Sequence, residues 1–300
     1  MIVLIDEFLK RDLQKGFVKK LRSLEEEFKK QKIHDVEYYK NKFEIDAFNE
    51  IIFTQDRVIT NSKDHPEKYI IENTKSMVNY FVVSILEEYR FLITYRKIIK
   101  FNFDPEFHKL VLSYLEKNEA EHNVPLISLY LSSILLILER KEEYFKKTKR
   151  NLISESGSLS HSDKYSTYAI LVNFANDEYQ KRNKKFLKES FELYKLILEN
   201  KLYNGVSGGS FYNPLFRNIV NVALLMKETE WTQNFVKTYI NKLMPEALHN
   251  TLHLSNARLN FAKGNYERSL EDLSKIVAIN HFQVKPLIKS ITLMIYIEKG

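Results

Sequence analysis

Apolar residues recur at intervals of three and four positions along nearly the whole of this 300-residue chain. Residues three or four positions apart lie on the same face of an α-helix, so this spacing gives each predicted helix one apolar face. The chain contains only 7 glycines and 6 prolines, and all-β architectures need many more turn residues than that. The pattern therefore predicts an all-α protein.

Prolines mark the beginnings of several predicted helices. Pro66, Pro105 and Pro125 each follow an Asp or Asn by one or two positions. Proline suits the first turn of a helix, because it has no amide hydrogen to leave unpaired there. The long pattern that begins at Pro66 is expected to break near Asn73. The predicted helices cover residues 35–54, 66–100, 105–118, 125–139, 142–153, 163–182 and 185–200.

The strongest local motif lies in the last quarter of the chain. Residues 256–273 (Asn-Ala-Arg-Leu-Asn-Phe-Ala-Lys-Gly-Asn-Tyr-Glu-Arg-Ser-Leu-Glu-Asp-Leu) predict two helices joined by a tight turn. Ala257 and Ser269 are small enough to let the helices approach closely, Gly264 suits the turn, and Tyr266 can cover the end of the hairpin. This set resembles the tetratricopeptide repeat (TPR), which implies that helices 250–262 and 266–278 pack as an antiparallel hairpin.

A degenerate copy of the motif precedes it. Trp231 lies 266 − 231 = 35 residues before Tyr266, close to the ~34-residue period of the family. In this alignment Thr229 replaces the turn glycine and Asn234 replaces the small residue of the second helix. Phe186, which lies 231 − 186 = 45 residues earlier, is a further candidate equivalent of Trp231.

The resemblance implies a TPR-like α-solenoid, a right-handed superhelical stack of antiparallel helical hairpins. Residues 1–153 would be a divergent helical-hairpin region. Residues 163–300 would be TPR-like hairpins that continue the same solenoid, with a loop insertion near 201–212 and an incomplete last repeat. The whole chain also resembles a group of uncharacterised long helical-repeat proteins of AT-rich bacteria, from which no activity can be transferred.

Residues 284–299 look like the first arm of that incomplete repeat. Aligning Gly300 with Gly264 gives a lag of 300 − 264 = 36 residues. Apolar residues lie on more than one side of this arm, among them Ile291, Met294 and Ile297. We therefore expect either that the 300 residues are a fragment of a longer repeat protein or that a partner or a second copy covers this helix, which would give self-association.

No constellation of residues predicts catalysis or metal binding. Cysteine is absent, which excludes disulfides, thiolate zinc sites and cysteine nucleophiles. His249 and His253 share a helical face but have no third ligand in register. Residues 160–163 (Ser-His-Ser-Asp) contain the residue types of a hydrolase triad, but a triad converges from separate elements, so helix capping is the better interpretation. We expect no enzymatic activity, no cofactor and no metal.

Charge leaves nucleic acid open as an alternative partner. The formal net charge is +7, from 46 Lys and Arg against 39 Asp and Glu. Basic clusters lie at 19–32, 146–150 and 181–185. If these clusters align on one side of the superhelix they form a track for a polyanion; if they do not, they serve solubility.

The sequence predicts no membrane span. Its longest nearly unbroken apolar stretch, residues 126–138, is shorter than the ~20 residues that a spanning helix needs and is expected to form a buried helix. Asp6 and Glu7 interrupt the first apolar residues, unlike the apolar core of a secretory signal. These features predict a cytoplasmic protein.

The function predicted from these observations is a non-catalytic protein-binding scaffold. Stacked hairpins present a concave face, lined by the first helix of each pair, on which repeat proteins hold peptides or partner domains. Thr251, Ser255 and Arg258 are the candidate partner-binding residues of the last complete hairpin, and Asn218 and Asn221 those of the preceding one. The alternative is a nucleic-acid-binding solenoid that uses the aligned Lys and Arg clusters.

Overall fold

The computed structural model describes residues 14–55, 66–96, 99–118, 124–204, 209–277 and 284–300. Within these residues the chain forms thirteen α-helices and no β-strand, which confirms the predicted all-α class. Residues 205–208 of the predicted loop insertion near 201–212 lie outside the described residues. Two compact units are present, Met1–Thr167 and Tyr168–Gly300, and the division between them falls inside one helix.

Six helices and the beginning of a seventh belong to the first unit. Their bounds are α1 Gln14–Phe28, α2 Val36–Gln55, α3 Pro66–Tyr95, α4 Glu106–Lys117, α5 Pro125–Glu139, α6 Glu142–Ser154 and α7 His161–Gln180. Helix α5 contacts α3 and α6 and is buried from Leu126 to Leu136 apart from the partly exposed Ser128. The expectation that this apolar stretch forms a buried helix is confirmed.

The second unit contains the remaining helices. Their bounds are α8 Lys185–Glu199, α9 Asn213–Leu225, α10 Thr229–Tyr239, α11 Pro245–Ala262, α12 Tyr266–Ser274 and α13 Val284–Lys299, with short 3-10 turns at Leu202–Asn204 and Ile240–Lys242. The hairpin predicted over 250–262 and 266–278 corresponds to α11 and α12. Helix α11 begins five residues earlier than predicted, because Pro245 occupies its first turn. Helix α12 ends at Ser274, before the predicted end at 278.

The predicted break in α3 near Asn73 does not occur. Helix α3 is continuous over 30 residues. The Asn73 amide donates a hydrogen bond to Glu50 on α2, and the Thr74 hydroxyl donates to the carbonyl oxygen of Ile70, one turn earlier, at 2.8 Å. Each polar side chain thus donates a hydrogen bond without interrupting the backbone ladder, so the prediction of a break was wrong.

Three hairpins of the second unit close with the same turn. Arg182, Lys227 and Gly264 have φ angles of 72°, 64° and 76°, in the left-handed region. In each turn, the backbone N–H of the residue that follows the left-handed one donates a hydrogen bond to the carbonyl oxygen five positions earlier. The same bond occurs in the Schellman motif, which often ends helices at a glycine. These bonds are Asn183 to Glu178 (3.1 Å), Glu228 to Ala223 (2.9 Å) and Asn265 to Asn260 (2.8 Å).

These turns set a register that differs from the predicted one. Lys227 and Gly264 are 264 − 227 = 37 residues apart, whereas aligning Trp231 with Tyr266 gave 35. In the 37-residue register Ser269 is equivalent to Thr232, and both side chains are fully buried. Asn234, the residue aligned with Ser269 in the predicted 35-residue register, is exposed. The shift arises because a lysine, not a glycine, takes the left-handed position of the earlier turn.

We expect glycine at position 227 to stabilise the second unit. A non-glycine residue in the left-handed region costs roughly 1 kcal/mol, so Lys227→Gly should raise the free energy of unfolding by about 0.5–1 kcal/mol. Gly264→Ala should lower it by a similar amount, although no atom lies within 4 Å of the added Cβ. Chemical denaturation of both variants measures the two effects, and the same sign for both would contradict this account.

Candidate partner-binding face

The first helices of two successive hairpins lie side by side. The chain reverses at the Lys227 turn and again between α10 and α11, so α9 and α11 run in the same direction. These helices pack against each other, and the Thr251 hydroxyl donates to the Asn213 amide oxygen at 2.8 Å. Residues of α9 therefore lie level with residues about 38 positions later on α11.

The predicted partner-binding residues divide into buried and accessible ones. Thr251 and Ser255 are only 3% and 2% exposed, so they offer little surface to a partner. Asn218 and Asn221 on α9 are exposed, and Arg258 on α11 is half-buried. The accessible members of the predicted set are therefore two side-chain amides and one guanidinium.

Arg258 has an unusual electrostatic environment. Burial and, to a smaller extent, the positive charge of Arg217 on α9 together lower its pKa to about 10. Burial also lowers the pKa of Arg217. Within the described part of the chain, no carboxylate forms a salt bridge with Arg258. Arg258 was among the predicted partner-binding residues and Arg217 was not, because the interaction of Arg217 with Arg258 depends on the packing of α9 against α11.

The predicted histidine pair ties α11 to the end of α12. His253 Nδ1 lies 3.2 Å from Asp272 Oδ1, and His249 Nε2 lies 2.9 Å from the carbonyl oxygen of Lys275. Asn260 also donates to Asp272, at 2.9 Å. Over the described residues, no three His, Asp or Glu side chains come together in a way that could hold a metal ion.

The serine-rich segment before α7 caps that helix, as predicted. The Asp163 amide donates to Ser160 Oγ at 3.0 Å, which satisfies one of the free amides of the first turn. Ser160 Oγ in turn donates to Asp163 Oδ2 at 2.6 Å. This reciprocal pair holds the chain at the entrance to α7 and leaves no exposed Ser-His-Asp arrangement.

Asp163 is also the centre of a buried polar cluster that the local sequence does not predict, because its members come from three different helices. Its Oδ1 accepts a hydrogen bond from Tyr130 Oη at 2.5 Å and lies 3.5 Å from an Arg90 nitrogen. The Arg90 guanidinium lies over the Tyr130 ring, 4.1 Å from its centroid. Burial raises the pKa of the Tyr130 hydroxyl strongly, and its hydrogen bond to Asp163 raises it further. The hydroxyl therefore stays protonated and donates to the carboxylate.

Two of the basic clusters contain local ion pairs. Lys146 lies 3.0 Å from Glu142, and Lys181 lies 2.8 Å from Glu178. Each acid precedes its lysine by about one helical turn, so the pair forms on the surface of a single helix. Such exposed pairs contribute little to stability, but they reduce the positive charge that a polyanion would meet.

Helices long and apolar enough to cross a bilayer are not found in the described parts of the chain. A scan of protein-family models, a search of curated proteins and a search of solved structures all gave no match to this chain.

Proposed function

We propose that this chain is a non-catalytic protein-binding scaffold, built as a right-handed superhelical stack of TPR-like hairpins. The observation that carries the proposal is the face shared by α9 and α11, where Asn218, Asn221 and Arg258 remain accessible between closely packed helices. Side-chain amides both donate and accept hydrogen bonds, as the peptide groups of a bound segment require. The first helices of successive repeats hold peptides in this way in stacked helical-repeat proteins.

Exposed apolar residues in the first unit also favour a protein partner. Met77 and Phe81 on α3 and Phe107, Leu110 and Tyr114 on α4 are all exposed. The rings of Phe81 and Phe107 have centroids 6.1 Å apart, so the two helices contribute to one surface. Contiguous exposed apolar side chains mark sites that bind proteins, membranes or apolar ligands, whereas a nucleic-acid backbone requires cations along its path.

Retention of partner proteins by Asn221 variants tests the proposal. The purified chain, immobilised and treated with nuclease, is expected to retain specific proteins from a lysate, identified by mass spectrometry. Asn221→Trp should reduce their retention, because it adds bulk to the face and removes the side-chain amide. Asn234→Trp is the matched control, since Asn234 is an exposed asparagine on α10. Equal loss in both variants, or retention that nuclease abolishes, would contradict the proposal.

We also expect the last helix to mediate self-association. Ile291 and Ile295 of α13 are buried in a cluster with Leu254, Ala257, Leu273 and Ile276. Leu293 and Ile297 remain 61% and 68% exposed, which leaves a second apolar side of α13 uncovered.

Mass measurement at several protein concentrations tests this expectation. The wild-type chain should show a concentration-dependent dimer by analytical ultracentrifugation, because association would bury the uncovered side of α13. The double variant Leu293→Lys, Ile297→Lys should remain monomeric. A wild-type chain that is monomeric at every concentration would refute self-association through α13.

A further inference from the structure

Two arginines meet on the face between α9 and α11. The hydrogen bond between Asn213 and Thr251 fixes the register of α9 against α11. One helical turn further along each helix come Arg217 on α9 and Ser255 on α11, so these two residues lie at the same level. Arg258 follows Ser255 by about one further turn. Arg217 therefore lies on the side of α9 that faces α11, and Arg258 lies on the side of α11 that faces α9. In agreement with this placement, the charge of Arg217 contributes to the lowered pKa of Arg258.

This arrangement is unfavourable in the isolated chain. Both arginines are half-buried, their like charges repel, and no carboxylate of the described chain pairs with Arg258. A charged group such as Arg258 is rarely kept in a partly buried position without a counter-charge, because its loss of hydration is not compensated. An anion beside Arg258 would offset both this loss and the repulsion from Arg217.

We propose that Arg217 and Arg258 bind the carboxylate of an Asp or Glu side chain in a partner protein. The planar guanidinium donates two parallel hydrogen bonds that match the geometry of a carboxylate. Asn221, which is equivalent to Arg258 in the 37-residue register (258 − 221 = 37), is exposed beside the pair and can bond to the main chain of the same segment. This inference rests on the proposed scaffold function, because it assumes a protein ligand.

The composition of the two helices favours one carboxylate over a nucleic acid. Neither α9 nor α11 contains a lysine, and Arg217 and Arg258 are their only arginines. A nucleic acid backbone presents a series of phosphates and needs a series of cations along its path. A single pair of arginines surrounded by amides and hydroxyls instead suits a single acidic side chain.

Peptide binding tests the proposal directly. The probe is a fluorescein-labelled peptide of six glutamates whose C-terminal carboxyl group is amidated, so that only side-chain carboxylates are available. Fluorescence anisotropy should show binding of this peptide and none of the corresponding glutamine peptide. Arg258→Met should weaken binding by about tenfold or more, as expected for loss of a charged hydrogen-bonded pair, and Arg258→Lys by less. Lys237→Met, which removes an exposed charge from α10, is the matched control.

Several results would overturn the inference. These are equal binding of the glutamate and glutamine peptides, equal weakening by Lys237→Met and Arg258→Met, and displacement of the peptide by single-stranded DNA at a lower concentration than by unlabelled peptide. If the glutamate peptide binds only with a free C-terminal carboxyl group, the site is specific for chain ends, and the assignment to a side chain also fails.

Thermal stability separates a binding role from a structural one. Without ligand, the Arg258→Met variant should melt at the same temperature as the wild type or higher, because it loses a half-buried charge next to Arg217 and keeps a side chain of similar length. A lower melting temperature would show that Arg258 stabilises the fold, and it would overturn the inference. If the wild type retains partner proteins and Arg258→Met retains them equally well, the inference fails while the scaffold proposal stands.

Discussion

Replacing Asp163 by alanine is expected to destabilise the first compact unit by about 3–5 kcal/mol, the usual cost of removing one partner from a buried ion pair. The substitution leaves the buried Arg90 without its carboxylate and Tyr130 Oη without its acceptor. It also removes the reciprocal hydrogen bond with Ser160 at the start of α7. Urea denaturation followed by far-ultraviolet circular dichroism measures the loss.

Two further variants make this expectation specific to the buried cluster. Ser162→Ala lies in the same first turn but is exposed, so it should change the free energy of unfolding by less than about 0.5 kcal/mol. The double variant Arg90→Met, Asp163→Leu removes both charges and should recover part of the stability lost in Asp163→Ala. If Asp163→Ala were as stable as Ser162→Ala, the buried cluster would not contribute to folding.

Enlarging Ala257 to leucine is expected to destabilise the second unit by ~1–3 kcal/mol through overpacking. Ala257 is fully buried, and its carbonyl oxygen accepts a hydrogen bond of 2.7 Å from the Ser269 hydroxyl across the α11–α12 hairpin. The added methyl groups of leucine have no space between the helices unless α11 and α12 move apart. Thermal and chemical unfolding of Ala257→Leu measures the effect.

Ala262 provides the control for this substitution. It ends the same helix but is exposed, so Ala262→Leu adds the same atoms without overpacking and should leave stability nearly unchanged. If Ala257→Leu and Ala262→Leu unfold alike, Ala257 and Ser269 are not in the close contact that the hairpin requires.

The sequence was sufficient to predict features that depend on neighbouring residues. Helix α4 begins where Asp104 and Pro105 predicted, and Asp104 accepts a hydrogen bond from the Glu106 amide at 3.0 Å. Helices α2, α5 and α6 likewise end within a residue or two of the predicted positions. Caps, first-turn prolines and apolar spacing act within one or two turns, so a single sequence contains the necessary information.

Features that depend on distant residues could not be predicted in the same way. The Lys227 turn adopts a conformation that favours glycine, and nothing in the local sequence marks it. Within the continuous helix α3, Asn73 donates a hydrogen bond to Glu50 on α2, a partner that lies 23 residues earlier in the sequence. The electrostatic interaction of Arg217 with Arg258 likewise depends on the register of α9 against α11. In each case packing overrides the local preference of the residue.

The position of the single tryptophan makes the two compact units spectroscopically distinguishable. Trp231 is half-buried in the second unit, stacked on Phe235 at a centroid distance of 5.5 Å and edge-on to Phe191 at 5.0 Å. Because the chain has no other tryptophan, its fluorescence reports unfolding of the second unit alone, whereas the circular dichroism signal sums the helices of both. If the fluorescence and circular dichroism signals show different midpoints in one titration, one unit unfolds while the other stays folded. If the two signals share one midpoint, the two units unfold as one cooperative system.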